Sequence, residues 1–77
     1  MQRRHRTVID LLAHERSKAI CINDDDFAQK LTTMGLLPGS VIEMVRAAPF
    51  GGAFYIKVDG KNFALRQAEA ASILIEA

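Results

Sequence analysis

Phe54-Tyr55-Ile56-Lys57-Val58-Asp59-Gly60-Lys61-Asn62-Phe63-Ala64-Leu65 is the stretch that decides the fold class. Side chains alternate on both sides of Asp59-Gly60, the period-two signature of half-buried strands. Asp59-Gly60 is itself a two-residue hairpin signal, because the tight turns that match strand twist need positive φ. The resulting register is self-consistent. Val58 faces Lys61, Ile56 faces Phe63 and Phe54 faces Leu65, so the apolar side chains meet on one face. Tyr55 with Ala64, and Lys57 with Asn62, fall on the other. A slip of one residue would destroy this agreement.

Upstream of the hairpin, Pro49-Phe50-Gly51-Gly52 reads as a loop, and residues 41–46 read as a strand with Ile42 and Met44 opposite Glu43. Leu37-Pro38-Gly39-Ser40 fits a type II turn, because Pro38 presets its own φ and Gly39 accepts a positive one. A helix over about residues 24–34 precedes it. Asn23-Asp24-Asp25-Asp26 supplies N-cap candidates and negative charge at the positive end of the dipole. Asp26 with Gln29 is a candidate capping box. Phe27, Leu31 and Met34 form an apolar stripe. Gly35 can take the left-handed C′ position, which pairs Leu36 with Leu31 in a Schellman ending.

Before the helix, residues 19–23 read as a strand with Ile20 and Ile22 on one face and Cys21 on the other. Residues 7–12 read as a first strand or lead-in, and residues 1–6 as a flexible basic arm. After the hairpin, the alanine-rich residues 67–72 form a short helical turn, and Ile73-Leu74-Ile75 reads as the last strand. The sequence shows no internal repeat and no linker. Short strands separated by turn signals, with one early helix, predict a mainly β fold: a small, partly open barrel of about five strands.

The totals narrow the function. The 77 residues give room for a single domain with one core. Domains of this size more often present a surface than enclose a catalytic cleft. The net charge of +1 gives no global attraction to nucleic acid or anionic membranes. One cysteine, Cys21, cannot staple a secreted domain, which points to a reducing cytoplasm. The basic start does not lead into a signal-peptide core, since Asp10 and His14-Glu15-Arg16 interrupt the apolar run. No stretch approaches the ~20 apolar residues of a spanning helix.

Three segments carry a family likeness. Leu31-Thr32-Thr33-Met34-Gly35-Leu36-Leu37-Pro38-Gly39-Ser40 resembles the FeoA signature, in which a helix ends in an L-x-x-x-G-L-x-P-G-S/T run. Ile42-Glu43-Met44-Val45-Arg46 and then Ala48-Pro49-Phe50-Gly51 are similar to the family's arginine and A-P-hydrophobic-G loop. Phe63-Ala64-Leu65-Arg66, followed by Glu69-Ala70, resembles the family's closing A/S-L-R-x-x-E/D-A run. The order and spacing hold from about residue 19 to residue 75. Two departures stand out. Gly52-Ala53 replaces the usual acidic residue and proline, and His14-Glu15-Arg16-Ser17-Lys18 stands where a P-G turn is usual.

The resemblance implies an SH3-like barrel, similar to the C-terminal domain of diphtheria-toxin-repressor-type regulators. It also implies an accessory protein of ferrous iron transport, binding the cytoplasmic part of a FeoB-type GTPase transporter. The membrane would be reached only through that transporter. Apart from the resemblance, the residues themselves suggest a docking patch of Arg46, Pro49, Phe50, Gly51 and Arg66: an apolar loop tip rimmed by charge, with Phe50 alternatively a lid over the barrel end and the arginines alternatively solvated strand residues. Gly35, Pro38, Gly39, Asp59 and Gly60 are read as structural turn positions.

Other chemistries are weaker. A phosphate-binding loop is absent, since Gly60-Lys61 is followed by Asn62 and position 55 is Tyr. No nucleophile or zinc-type spacing appears, so no enzyme is expected. Metal-ligand candidates are His5, His14, Cys21, Asp24, Asp25 and Asp26, but helix capping already accounts for the aspartates. No resident cofactor is expected, and any Fe2+ contact is transient and not assignable to residues. The alternatives are a stand-alone metal-sensing regulatory domain and a small-barrel nucleic-acid binder using Arg3, Arg4 and Arg6. The latter lacks a basic patch. Self-association stays open.

Overall fold

The computed structural model describes residues 6–76. The decisive hairpin forms in the expected register. Strands β4 (Phe54–Val58) and β5 (Lys61–Leu65) pair Phe54 with Leu65, Ile56 with Phe63 and Val58 with Lys61. Asp59 and Gly60 both take positive φ, at 49° and 84°. That twists the turn to match its strands. Phe54, Ile56, Val58, Phe63 and Leu65 are all buried, whereas Lys57 and Asn62 are exposed.

Strand β3 (Val41–Ala47) pairs with β4 and buries Ile42 and Met44. Strand β2 (Arg16–Ile22) pairs with β3 on one side and with β6 (Ile73–Ile75) on the other. A two-residue β1 (Arg6–Thr7) completes a six-stranded antiparallel sheet in the order β1-β6-β2-β3-β4-β5. Helices α1 (Asp25–Met34) and α2 (Gln67–Ser72) flank it.

Helix α1 begins at Asp24, whose carboxylate accepts the Phe27 amide at 3.0 Å. The box proposed for Asp26 and Gln29 does not form, because capping two residues earlier places Asp26 inside the helix. The C-terminal end forms as expected. Gly35 sits at φ 107°, its amide donates to Thr32 O and the Leu36 amide donates to Leu31 O at 2.9 Å. Leu31 and Leu36 are both fully buried, each contributing about 1.5–3 kcal/mol. Met34, assigned to the same stripe, is exposed at the helix end. No basic residue occupies the last turn of α1. Lys61 of β5 serves that end instead, since a Cβ at Gly35 would stand 3.8 Å from its Nζ.

The N-terminal quarter departs most from expectation. β1 stops at Thr7 because the Asp10 carboxylate accepts the Thr7 amide at 2.9 Å. The chain turns there into a 3-10 turn, Val8–Asp10, that buries Val8. Arg6, assigned to the basic arm, lies in the sheet and pairs with Glu15 at 2.9 Å. Residues 1–5 of that arm, His5 included, lie outside the described residues. In β2 a bulge falls between Ala19 and Cys21. It buries Ala19 and turns Ile20 outward, reversing the expected placement of Ile20.

The turn thought to be missing is present. In residues 12–15 the Glu15 amide donates to Leu12 O at 2.9 Å, with His14 at φ 69° in the place of a glycine. Glu15 Oε1 accepts the Leu12 amide in return. The turn at residues 37–40 repeats this position for position. Ser40 donates to Leu37 O, Ser40 Oγ accepts the Leu37 amide, and Gly39 takes φ 90°. Each turn leads into a strand, and each strand carries one bulge, at Ile20 and at Val45. The backbone therefore repeats where the side chains do not.

One buried carboxylate joins the two helices. Glu69 Oε2 accepts Lys30 Nζ of α1 at 2.6 Å and Oε1 accepts the Arg66 amide at 2.9 Å. These bonds, the Lys30 one foremost, hold the carboxyl below its usual range despite burial. Glu15 is lowered likewise by the Leu12 amide and by Arg6.

Gly35→Val will lower the melting temperature, because space is open but a β-branched residue resists φ 107°. A loss of about 1–2 kcal/mol, or about 4–8 °C per kcal/mol, should appear in thermal denaturation. His14→Gly will raise stability by about 0.5 kcal/mol by relieving a left-handed histidine. A lower melting temperature would mean that His14 does not hold this turn. Acid titration tests Glu69. Its folded pKa is depressed, so its stabilisation is complete above the unfolded value of about 4.3 and is lost as pH falls toward the folded value. Glu69→Gln will lower stability at pH 7 and flatten its decline below about pH 4.3.

Candidate functional site

The loop between β3 and β4 is built to hold one side chain outward. Its base is closed by the Ala48 amide donating to Ala53 O at 2.7 Å. Between them Pro49–Gly51 forms a 3-10 turn in which Phe50 departs to φ 62°, ψ 27°. A bulky residue in the left-handed region is strained. The strain gains no burial, for Phe50 is fully exposed. The lid alternative therefore fails, and Phe50 stands as an apolar tip on a closed loop. Pro49 and Gly51 shape the turn around it.

The two arginines assigned to this site lie at the same end of the sheet. Arg46 pairs with Tyr55 across β3 and β4, and its guanidinium stacks on the Tyr55 ring at 4.7 Å. That contact restrains a long side chain on the outer face. Arg66 follows β5, is exposed, and leads α2 with its backbone amide bonded to Glu69. Neither arginine has a carboxylate within salt-bridge distance among the described residues.

Two apolar residues at this end were not assigned to the site from sequence. Val45 is the bulged residue of β3 and Leu12 opens the turn that docks on it, through the His14 amide and Met44 O at 2.6 Å. Both are exposed, Leu12 by 74%. Strand alternation from Ile42 and Met44 carried a signal for Val45. Nothing in the sequence carried one for Leu12, whose position depends on a turn formed without glycine.

The metal-ligand candidates do not converge. Among the described residues no group of three or more His, Cys, Asp or Glu is placed to hold a metal ion. His14 serves a turn, Cys21 is exposed on β2, and Asp24 caps α1. Asp25 and Asp26 lie in the first turn of that helix. A shallow groove of about 160 Å³ runs between Arg16, Val41, Glu43, Lys57, Asp59 and Gly60. It is small for a ligand pocket, and Arg16 and Glu43 neutralise each other there at 3.3 Å. Gly35, Pro38, Gly39, Asp59 and Gly60 are turn positions as expected. Among the described residues no helix is long and apolar enough to cross a membrane.

Comparison with known proteins agrees with this geometry. The FeoA domain family matches residues 13–77. The structure is similar to a FeoA-like protein of Clostridium acetobutylicum, with TM-score 0.85 and 25% identity over 99% of this chain and 90% of that one. It is also similar to Stenotrophomonas maltophilia FeoA complexed with zinc, with TM-score 0.81 and 26% identity over 92% of this chain and 89% of that one. A manganese-dependent transcriptional repressor shares the fold, with TM-score 0.86 at 15% identity over all of this chain and 38% of that one. The SH3-like barrel and the family match over most of the sequence agree with the turn, loop and closing motifs: the chain belongs to the FeoA family.

Proposed function

We propose that this chain is a non-catalytic accessory module of ferrous iron transport, acting in the cytoplasm on a FeoB-type GTPase transporter. It binds the transporter's cytoplasmic part and shifts the populations of its assembly or nucleotide states through differential affinity. One observation carries the docking role: Phe50 is held in a strained conformation, fully exposed, on a loop closed at its base. Strain kept without burial is characteristic of positions maintained for contact with another molecule. Membership of the FeoA family supports the process. So does the S. maltophilia relative, described as a candidate activating factor of bacterial ferrous iron transport.

A metal-sensing role is the second reading, favoured by that relative's zinc and by the fold shared with metal-dependent repressors. Anaerobic Fe2+ titration separates the two. Stoichiometric binding tighter than micromolar would favour sensing.

The docking reading is tested by pull-down and titration against the cytoplasmic domain and the full-length transporter from the same genome. Phe50→Ala should weaken binding at least about tenfold. Phe50→Gly should weaken it equally while raising the melting temperature, because the strain is relieved. Binding that survives both changes would move the interface elsewhere. No binding by the unaltered chain in any nucleotide state would remove the accessory reading.

A further inference from the structure

Two arginines at the Phe50 end of the barrel, Arg46 and Arg66, are neutralised by no carboxylate among the described residues. Glu15, in the turn that docks on Met44, is held by Arg6 at 2.9 Å, and Glu69, bonded to the Arg66 amide, is held by Lys30 at 2.6 Å. Arg46 and Arg66 have no carboxylate within 4 Å among the described residues. Arg46 is moreover restrained over Tyr55 and held outward. The same end also exposes apolar side chains at Leu12, Val45 and Phe50.

Resting on the docking role of Phe50, we propose that this end binds an acidic segment of the partner protein that also carries apolar side chains. The apolar side chains pack on Leu12, Val45 and Phe50, and carboxylates pair with Arg46 and Arg66. A restrained arginine loses less freedom on pairing than a free one, and its planar fork fits a carboxylate bidentately. Charge complementarity of this kind sets orientation and encounter rate more than raw affinity. A membrane surface fits less well, since anionic lipid recognition uses clusters of about 4–8 basic residues, and among the described residues this end shows two unpaired arginines.

Leu37 supplies an internal control. It occupies the same place in the turn at residues 37–40 as Leu12 does in the turn at 12–15, and it is also exposed. It lies at the opposite end of the β2–β3 ribbon, away from both arginines.

The experiment measures affinity of the full chain for the transporter's cytoplasmic domain at about 50 and 300 mM salt. The variants are Leu12→Ser, Val45→Ser, Arg46→Glu, Arg66→Glu and Leu37→Ser, each checked by thermal melting. Leu12→Ser and Val45→Ser should weaken binding about fivefold or more, and Leu37→Ser should leave it unchanged. Both arginine reversals should weaken binding more at low salt than at high salt, flattening the salt dependence. Should Phe50→Ala weaken binding while the arginine reversals do not, the docking role would stand and the acidic partner segment would be overturned. Equal losses for Leu37→Ser and Leu12→Ser would also overturn it. No binding by the unaltered chain, or binding only to phosphatidylglycerol vesicles, would overturn the docking role and this inference together.

Discussion

The antiparallel pairing of β2 with β3 is the seam on which the barrel depends. On one side of it lie β1 and β6, on the other β4 and β5. Main-chain bonds close the seam at both ends. His14 donates to Met44 O and Met44 to Glu15 O, while Gly39 donates to Ala19 O and Ala19 to Ser40 O. A buried backbone group left unpaired costs about as much as a lost hydrogen bond. Both turns must therefore form for the ribbon to close. Their left-handed residues, His14 and Gly39, point the amides that do so. The Schellman ending of α1 then delivers the chain into the second turn at a fixed angle, with Leu31 and Leu36 buried beneath it.

The near-repeat of the two turns has a further effect. Each strand of the ribbon bulges once, and at each bulge an apolar side chain is exposed, Ile20 on β2 and Val45 on β3. Bulges locally increase twist and re-aim side chains. The same backbone device thus places apolar surface at both ends of the ribbon. What differentiates the ends is sequence. At the β3–β4 end the carboxylates of Glu15 and Glu69 are engaged in holding the fold, and Arg46 and Arg66 have no carboxylate partner among the described residues.

The interior of this small barrel is filled with side chains. On its surface the β3–β4 loop stands out: its base is hydrogen-bonded, its tip is strained and its ring meets solvent. The same barrel occurs in a manganese-dependent repressor, so the fold alone does not fix what a chain of this shape does.

The sequence by itself determined everything governed by local periodicity and by glycine. The hairpin register followed from alternation around Asp59-Gly60, the helix end from Gly35, and the turn before β3 from Pro38-Gly39. Phe50 was legible as a loop tip because proline and glycine flank it. Tertiary structure alone decided the rest. The turn at residues 12–15 is formed by Ala13 and His14, neither of which signals it, and it exists because β3 supplies its hydrogen-bond partners. The outward turn of Ile20 comes from a bulge set by pairing with β6, which no single strand can announce. The exposure of Leu12, and the neutralisation that leaves Arg46 and Arg66 free, depend on contacts between residues far apart in the chain. Such contacts are settled only when the sheet closes.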